Sequence, residues 1–290
     1  SETKPSVTRC HILLDSLQHI CLMHGMEVDY YKKLFQTIGN IIELIEKDDI
    51  PKYLLFLENA FPYMDNYNYH KGMNGIIQEL KCLLKTKSIG TDSDRALLLD
   101  FQATLETKPE KAIKLEKDAL AQIETITVDN ARLVSNLHAN LGGLYRMNGH
   151  PDLAREHMEK SISLLDQFNL LHINDSIPQI ANYAMFLTEQ QEPERGISEL
   201  QKLSGIIKEY HSDDCLDYAK VQETLGTIYL MTANLPQAKT HFKRAFKIYE
   251  KIWTDEPEMI EAKYQEIQEL YPQVGFFLGQ QLSDFLTKQT

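Results

Sequence analysis

Side chains that bind soft metals are grouped near the start of the sequence, at Cys10, His11, His19, Cys21 and His24. Zinc prefers thiolate and imidazole ligands, and Cys21 and His24 would share one face of a helix. The spacing nevertheless matches no standard zinc module, and every ligand would have to converge from one helix. Because zinc needs ligands that converge in a defined geometry, we expect neither a metal site nor a cofactor.

Motifs for nucleotide binding or hydrolysis do not occur: the sequence has no P-loop, no GxGxxG after a strand and no HExxH. His138, His157 and His241 stand at helical positions, but a catalytic histidine needs a nucleophile or an acid within reach, and the sequence specifies none. We therefore predict that the chain is not an enzyme. An enzyme on a helical-repeat scaffold is the least favoured alternative, and it would require a buried acid–base cluster with perturbed pKa values.

The composition narrows the classes of partner. The 290 residues are 43% hydrophobic and 25% charged, with a net charge of −12. An acidic chain is not suited to neutralising nucleic-acid phosphates or to binding an anionic membrane surface. No apolar run approaches the roughly 20 residues that span a bilayer. The cysteines at 10, 21, 82 and 215 include no CxxC pair, which favours reduced thiols and a cytoplasmic location.

A 42-residue repeat provides the elements that would position any functional side chain. A small residue recurs at the expected start of a second helix, at Ala112, Ala154, Gly196 and Ala238, since 154 − 112 = 42. Four positions later the repeats carry Glu116, Met158, Leu200 and Phe242. The upstream helix carries Asp100, Gly142, Ala184 and Gly226 at one equivalent position. Small residues at a crossing let two helices approach closely, so each unit is predicted as helix, turn, helix.

The motifs in two of these units resemble the tetratricopeptide pattern. Residues 141–161 contain LGxxY and then AxxxMxxS, and residues 225–245 contain LGxxY and then AxxxFxxA. The family's usual period is 34 residues, so a period of 42 implies longer helices. In this respect the chain resembles the long repeats of kinesin light chains and of bacterial tetratricopeptide signalling regulators.

We predict an all-α fold: a right-handed α-α superhelix, or TPR-like solenoid, of antiparallel helix pairs. Residues 1–88 are predicted to form degenerate helical pairs, with a separate helical subdomain as the alternative. Residues 89–255 are predicted to hold four repeats, and residues 256–290 a terminal helix and a capping helix. The helices predicted in the first region are 8–24, 28–47, 51–63 and 70–86, and the closing helix is 273–287.

The resemblance implies that the first helix of each pair lines a concave groove. In family members, an asparagine five positions before the motif tyrosine hydrogen-bonds the backbone of a bound peptide, and Asn140 and Asn182 occupy that position. An amide can do this because it both donates and accepts; a solvated helix-face asparagine is the alternative. The candidate peptide-binding residues are Asn136, Asn140, Arg146, Asn182, Met185 and Lys220, with Phe101, Met147 and Met231 as neighbouring apolar groups.

We therefore expect a protein or peptide partner held in the groove, without direct nucleic-acid or membrane binding, and we leave a homo-oligomer open. The chain would act as a scaffold or sensor, in the regulatory region of a larger bacterial signalling or transcription-regulating protein. A stand-alone adaptor for complex assembly is the alternative. Only two residues fit the five-residue clamp that binds C-terminal carboxylates in chaperone-binding relatives, so a carboxylate ligand is not expected.

Overall fold

The computed structural model describes residues 50–66, 70–85 and 89–289, and all regular structure in these segments is α-helical. The helices predicted at 8–24 and 28–47 lie outside the described residues. The described helices are α1 (Ile50–Asn66), α2 (His70–Leu84), α3 (Asp92–Leu105), α4 (Pro109–Leu120), α5 (Ala131–Met147), α6 (Pro151–Gln167), α7 (Ser176–Glu189), α8 (Pro193–Tyr210), α9 (Leu216–Met231), α10 (Leu235–Ile252), α11 (Pro257–Leu270) and α12 (Pro272–Gln289).

Consecutive helices pack in pairs, as predicted. Helix α3 packs on α4, α7 on α8, α9 on α10, and α11 on α12. In addition, α7 contacts α9 directly, so successive first helices lie side by side. Because a first helix such as α9 packs against its partner α10 and also against α7 and α8 of the preceding pair, neighbouring repeats of the second unit stabilise one another. The predicted all-α fold of stacked helix pairs is confirmed.

The second helices keep the 42-residue period. They begin at Pro109, Pro151, Pro193 and Leu235, and 151 − 109, 193 − 151 and 235 − 193 each equal 42. The proline of the last of these helices, Pro236, is displaced by one residue, but the helix itself starts in register. Proline near a helix start costs little because the amide it lacks would have no partner within the helix.

The turns between paired helices repeat as well. Gly149, Gln191 and Ala233 are 42 residues apart and adopt left-handed backbone conformations, with φ of 74°, 66° and 59°. The next amide donates to a carbonyl five residues back in each turn, in the bonds His150–Tyr145, Glu192–Leu187 and Asn234–Tyr229 at 2.9, 2.8 and 2.7 Å. This pattern closes a helix C-terminus most readily with glycine, which only the first of these turns has.

The strain at Ala233 gives a testable expectation. We expect Ala233→Gly to stabilise the protein by about 0.5–1 kcal/mol, since glycine removes the steric cost of the left-handed conformation and that gain exceeds the entropy cost of glycine. Ala262→Gly, at an exposed position inside α11, should instead destabilise by about 1 kcal/mol. Chemical denaturation followed by circular dichroism measures both changes, and destabilisation by Ala233→Gly would contradict the turn geometry.

The chain forms two compact units, the first ending at Leu144 and the second beginning at Tyr145. In the first unit, a core of α1 and α2 side chains reaches α3, where the rings of Phe61 and Phe101 stack with centroids 3.8 Å apart. In the second unit, one apolar core runs from α6 to α12 and includes Leu278 of the closing helix.

Small residues mark the helix crossings, as predicted. A Cβ atom on Gly196 would lie 2.7 Å from the carbonyl oxygen of Ala184, so α7 and α8 touch through their backbones there. A Cβ atom on Gly226 would lie 2.8 Å from the ring of Phe242, between α9 and α10. Both contacts are too short for an added methyl group, because real Cβ atoms do not approach this closely.

Candidate functional site

Among the predicted contact residues, Asn182 has the polar side chain that is most accessible to a partner, and it lies on the exposed side of α7. Asn182 is exposed on α7 and makes no hydrogen bond to another described residue. Met185, nearly one turn later, is half-buried against the apolar core of the second unit. Lys220 on the neighbouring α9 has 53% of its side chain exposed and a long 3.7 Å contact with Asp217. The structure therefore places an unpaired amide and a weakly paired cation on adjoining first helices.

An apolar group lies at the end of the same helix α9. Met231, the last residue of α9, is 46% exposed, whereas eight other residues of this helix are buried. Between these ends, the hydroxyl of Thr224 donates to the backbone oxygen of Lys220 at 3.0 Å. Thr224 is therefore bonded within its own helix.

Arg146 is held by an acidic partner. Its guanidinium forms two hydrogen bonds with Glu189, one of them between Nε and Oε2 at 2.8 Å and the other from Nη2 to Oε1. The pair joins the C-terminal ends of α5 and α7, and both side chains are partly exposed. Exposed ion pairs contribute little to stability, so an anionic group could displace Glu189 from Arg146 at small cost.

A second charged pair in this unit is more buried. Lys263 of α11 lies 3.0 Å from Glu223 of α9, and these side chains are only 20% and 18% exposed. The hydroxyl of Tyr249 donates to Glu223 at 2.6 Å. Burial and the nearby Glu223 carboxylate raise the pKa of Tyr249, so it remains a donor at neutral pH. This network fastens α11 to α9 and α10.

Asn140, in the first unit, is exposed, but its side-chain amide is already hydrogen-bonded to other residues of the chain. Its Nδ2 donates to Asp100 Oδ1 at 2.8 Å and lies 3.3 Å from Glu116 Oε1. Burial, and then the charge of Asp100, raise the pKa of Glu116 to about 10, so this carboxyl is protonated at neutral pH. Asn136, one turn earlier on α5, is half-buried. A contact between Asn140 and a ligand would thus compete with its hydrogen bonds to Asp100 and Glu116, which we call the acidic pair.

The acidic pair can be detected in the sequence, although the repeat pattern alone does not show what the two carboxyl groups do. Asp100 occupies the position that holds glycine or alanine in the other repeats, and Glu116 the position of Met158, Leu200 or Phe242. Carboxyl groups at two core positions are the signal. The prediction that Phe101 lies near the groove is wrong, because Phe101 is 3% exposed and stacks on Phe61.

Perturbed carboxyl groups of this kind are also what an active site would need. Glu116 is 2% exposed, however, and catalysis requires contact with a substrate. A second pair, Glu58 of α1 and Asp94 of α3, borders a cavity of about 660 Å³ with mostly apolar walls. Burial, together with a hydrogen bond to Asp94, raises the pKa of Glu58 to about 8.

Metal-ligand clusters and membrane spans are both absent from the described segments. No group of three or more potential metal ligands lies together there, and the cysteine–histidine group at 10–24 falls outside the described residues. Within residues 50–66, 70–85 and 89–289, every helix is too short or too polar to cross a bilayer.

Comparison with known sequences identifies the repeats. The family profile described as tetratricopeptide repeat matches residues 176–251, which begin with α7 and end within α10. Residues 176–251 are tetratricopeptide repeats. The resemblance predicted from the LGxxY and AxxxFxxA motifs is thereby confirmed. A search of curated proteins gives no significant match.

Solved structures with similar folds include one described as having nearly identical TPR-like repeats. The P. vanneervenii protein BtubC (BKLC) is 15% identical with a TM-score of 0.52, over 82% of this chain and 91% of that one. A putative kinesin light chain of Podosopora anserina is 12% identical with a TM-score of 0.54, over 70% and 98%. A Rap protein complexed with Competence and Sporulation Factor is 17% identical with a TM-score of 0.51, over 98% and 80%. At these identities the likeness concerns the fold alone.

Proposed function

We propose that the second unit binds an extended segment of another protein along the exposed side of α7 and α9. The observation that carries this proposal is Asn182, an exposed amide on a first helix with no hydrogen bond inside the described chain. Such an amide can donate to and accept from the main chain of an extended segment. Met185 and Met231 add adaptable apolar contacts, and Lys220 adds a cation.

Two of the remaining predicted residues, Arg146 and Asn140, could contact the partner only after giving up a bond within the chain. Arg146 could pair with an acidic group of the partner once Glu189 is displaced. Asn136 and Asn140 remain predicted contacts in the first unit, and Asn140 would have to exchange its bond to Asp100 for one to the ligand. The partner in this proposal is a protein rather than a nucleic acid because the chain has a net charge of −12.

Among the roles open to such a module, we favour that of a sensor in a bacterial regulatory protein over that of a stand-alone adaptor. The Rap structure supports this choice because its fold covers 98% of this chain and it was solved with Competence and Sporulation Factor. By analogy with that structure, we propose that the present chain also binds a regulatory factor. A cytoplasmic location agrees with Cys215, which is a free thiol.

Site-specific photocrosslinking in cells tests the proposed surface and captures the partner in the same experiment. A benzophenone amino acid replaces Met231, at the exposed end of α9, and in a matched variant it replaces Gln201, an exposed residue on the second helix α8. Asn182 stays intact in both variants, and we expect a discrete covalent adduct from position 231 and none from position 201. Mass spectrometry of the adduct identifies the partner, and adducts formed only from position 201 would contradict the proposal.

A further inference from the structure

Two carboxyl groups of the first unit, one half-buried and one buried, converge on one nitrogen atom. Asp100 of α3 and Glu116 of α4 lie 2.8 and 3.3 Å from Nδ2 of Asn140. Glu116 is 2% exposed, and its Oε2 is buried without a hydrogen-bond partner among the described residues. Two ionised carboxylates that approach the same nitrogen atom, one of them almost fully buried, would repel each other.

The repeat shows what these carboxyl groups replace. Asp100 and Glu116 correspond to Gly226 and Phe242, since 226 − 100 and 242 − 116 both equal 126, or three periods. Gly226 and Phe242 are in contact across their helix pair. The acidic residues therefore occupy neighbouring positions at a helix–helix contact that is apolar in the fourth repeat. A direct carboxylic acid–carboxylate hydrogen bond can fill such a contact, whereas two bare anions cannot.

Among the described residues, no cation contributes to the pKa shifts of the pair. Helix α5 contributes the neutral amide of Asn140, and α1 contributes a further carboxylate, Asp65, whose charge opposes ionisation of Asp100. Helix α2 contributes apolar side chains such as Leu83 and Leu84 to the core of the first unit, which also includes Phe101, the neighbour of Asp100 in sequence. The hydrogen bond from Asn140 favours ionisation, but burial of the two carboxyl groups outweighs it and raises the pKa of both.

We propose that Asp100 and Glu116 share one proton in the folded protein, and that this proton latches α3 to α4, so that its loss at alkaline pH loosens the first unit. Formation of the latch moves no electrons: one acid O–H donates to the opposite carboxylate, and opening of the helix pair releases that proton to water. A hydrogen bond between the two side chains, with Glu116 as the acid, also gives its buried Oε2 a defined role as the atom that carries the proton.

The pH window follows from the two states. In an unfolded chain the pKa of a glutamate is about 4.3, whereas burial raises the pKa of Glu116 to about 10 in the folded protein. Folding therefore takes up a proton between these values. The stability that the proton contributes is fully present below the unfolded pKa and is lost as the pH rises through the folded pKa. Between them, each pH unit should raise the opening constant of the first unit about tenfold.

The second unit should respond differently. Its shifted carboxylates, Glu192, Asp213 and Asp214, have pKa values lowered by hydrogen bonds from Arg195, Lys208 and Lys251. They remain ionised across the neutral and alkaline range. An alkaline shift is therefore expected to loosen the first unit selectively, and the chain's single tryptophan, Trp253 at the end of α10, reports on the second.

Hydrogen exchange of the full chain measured at pH 6, 7, 8 and 9 tests the latch. The readout is the protection of peptides from 92–120, corrected for the intrinsic exchange rate at each pH. Glu116→Gln mimics the protonated acid, since its amide can donate to Asp100 and its Oε1 can accept from Asn140. We expect protection in the wild type to fall about tenfold per pH unit relative to Glu116→Gln. Glu110→Gln, on the exposed first turn of α4, should follow the wild type.

Two comparisons make the outcome decisive. The Glu58–Asp94 pair adds its own proton uptake, but this is common to the wild type and Glu116→Gln and cancels between them. Asp100→Asn removes the charge of Asp100 but leaves Glu116 buried, so this variant should lose part, and not all, of the excess pH dependence. Parallel pH profiles for the wild type and both variants would overturn the proposal. So would an equal loss of structure around Trp253, because the effect would then belong to the whole chain.

Discussion

Gly196→Ala is expected to destabilise the second unit by about 3 kcal/mol, although alanine is the better helix former. The added Cβ would lie 2.7 Å from the backbone oxygen of Ala184, and a backbone atom cannot rotate aside as a side chain can. Relief requires α7 and α8 to separate, which disturbs the packing along their whole contact. Denaturant titration followed by circular dichroism measures the change in unfolding free energy.

The same helix supplies a matched control. Gly205 also lies in α8, but a Cβ atom there would have no neighbour within 4 Å. Gly205→Ala should therefore stabilise the protein by about 0.5–1 kcal/mol through helix propensity alone. Opposite signs for the two glycines are the expected result, and equal effects would show that α7 and α8 do not touch at Gly196.

Much of the fold could be predicted because equivalent contacts recur in several copies of the repeat. The small residues at the crossings and the prolines at the helix starts recur every 42 residues, so each position was inferred from several copies. The left-handed turns at Gln191 and Ala233 could not be found in this way. Only their counterpart Gly149 has the residue type that signals such a turn, and in the other two the surrounding helices impose the conformation.

The candidate site was less predictable, since it depends on partners that the repeat does not specify. Asn140 and Asn182 occupy the same repeat position, yet one amide is bonded to Asp100 and the other is unpaired among the described residues. The difference arises because Asp100 stands where other repeats have glycine or alanine. Likewise, nothing in the pattern around Arg146 indicated that Glu189 would pair with it. The roles of all six predicted contact residues remain predictions.

Asn182→Ala is expected to weaken binding of the crosslinked partner at least tenfold without changing the stability of the fold. The substitution would leave backbone groups of the bound segment without partners, at a cost of about 1–3 kcal/mol, and 1.4 kcal/mol corresponds to a factor of ten. The fold should be unaffected because the Asn182 amide is exposed and makes no hydrogen bond to another described residue. Lys220→Ala should have a smaller effect that weakens further as salt is added.

Asn140→Ala should behave differently from Asn182→Ala. Its removal deprives Asp100 and Glu116 of a shared donor, so a loss of stability in the first unit is expected whether or not the residue also contacts a ligand. A melting curve for each variant separates the two effects. Binding measurements on Asn140→Ala are therefore interpretable only at a temperature at which the variant is fully folded.

The central claim, that the side of α7 and α9 that bears Asn182 holds the partner, is tested most directly by one titration. Isothermal titration calorimetry compares the wild type, Asn182→Ala and Gln201→Ala against a synthetic segment of the crosslinked partner. The prediction is at least a tenfold increase in Kd for Asn182→Ala, an unchanged Kd for Gln201→Ala, and equal melting temperatures for all three. An unchanged Kd for Asn182→Ala, or a greater loss of affinity for Gln201→Ala, would contradict the claim.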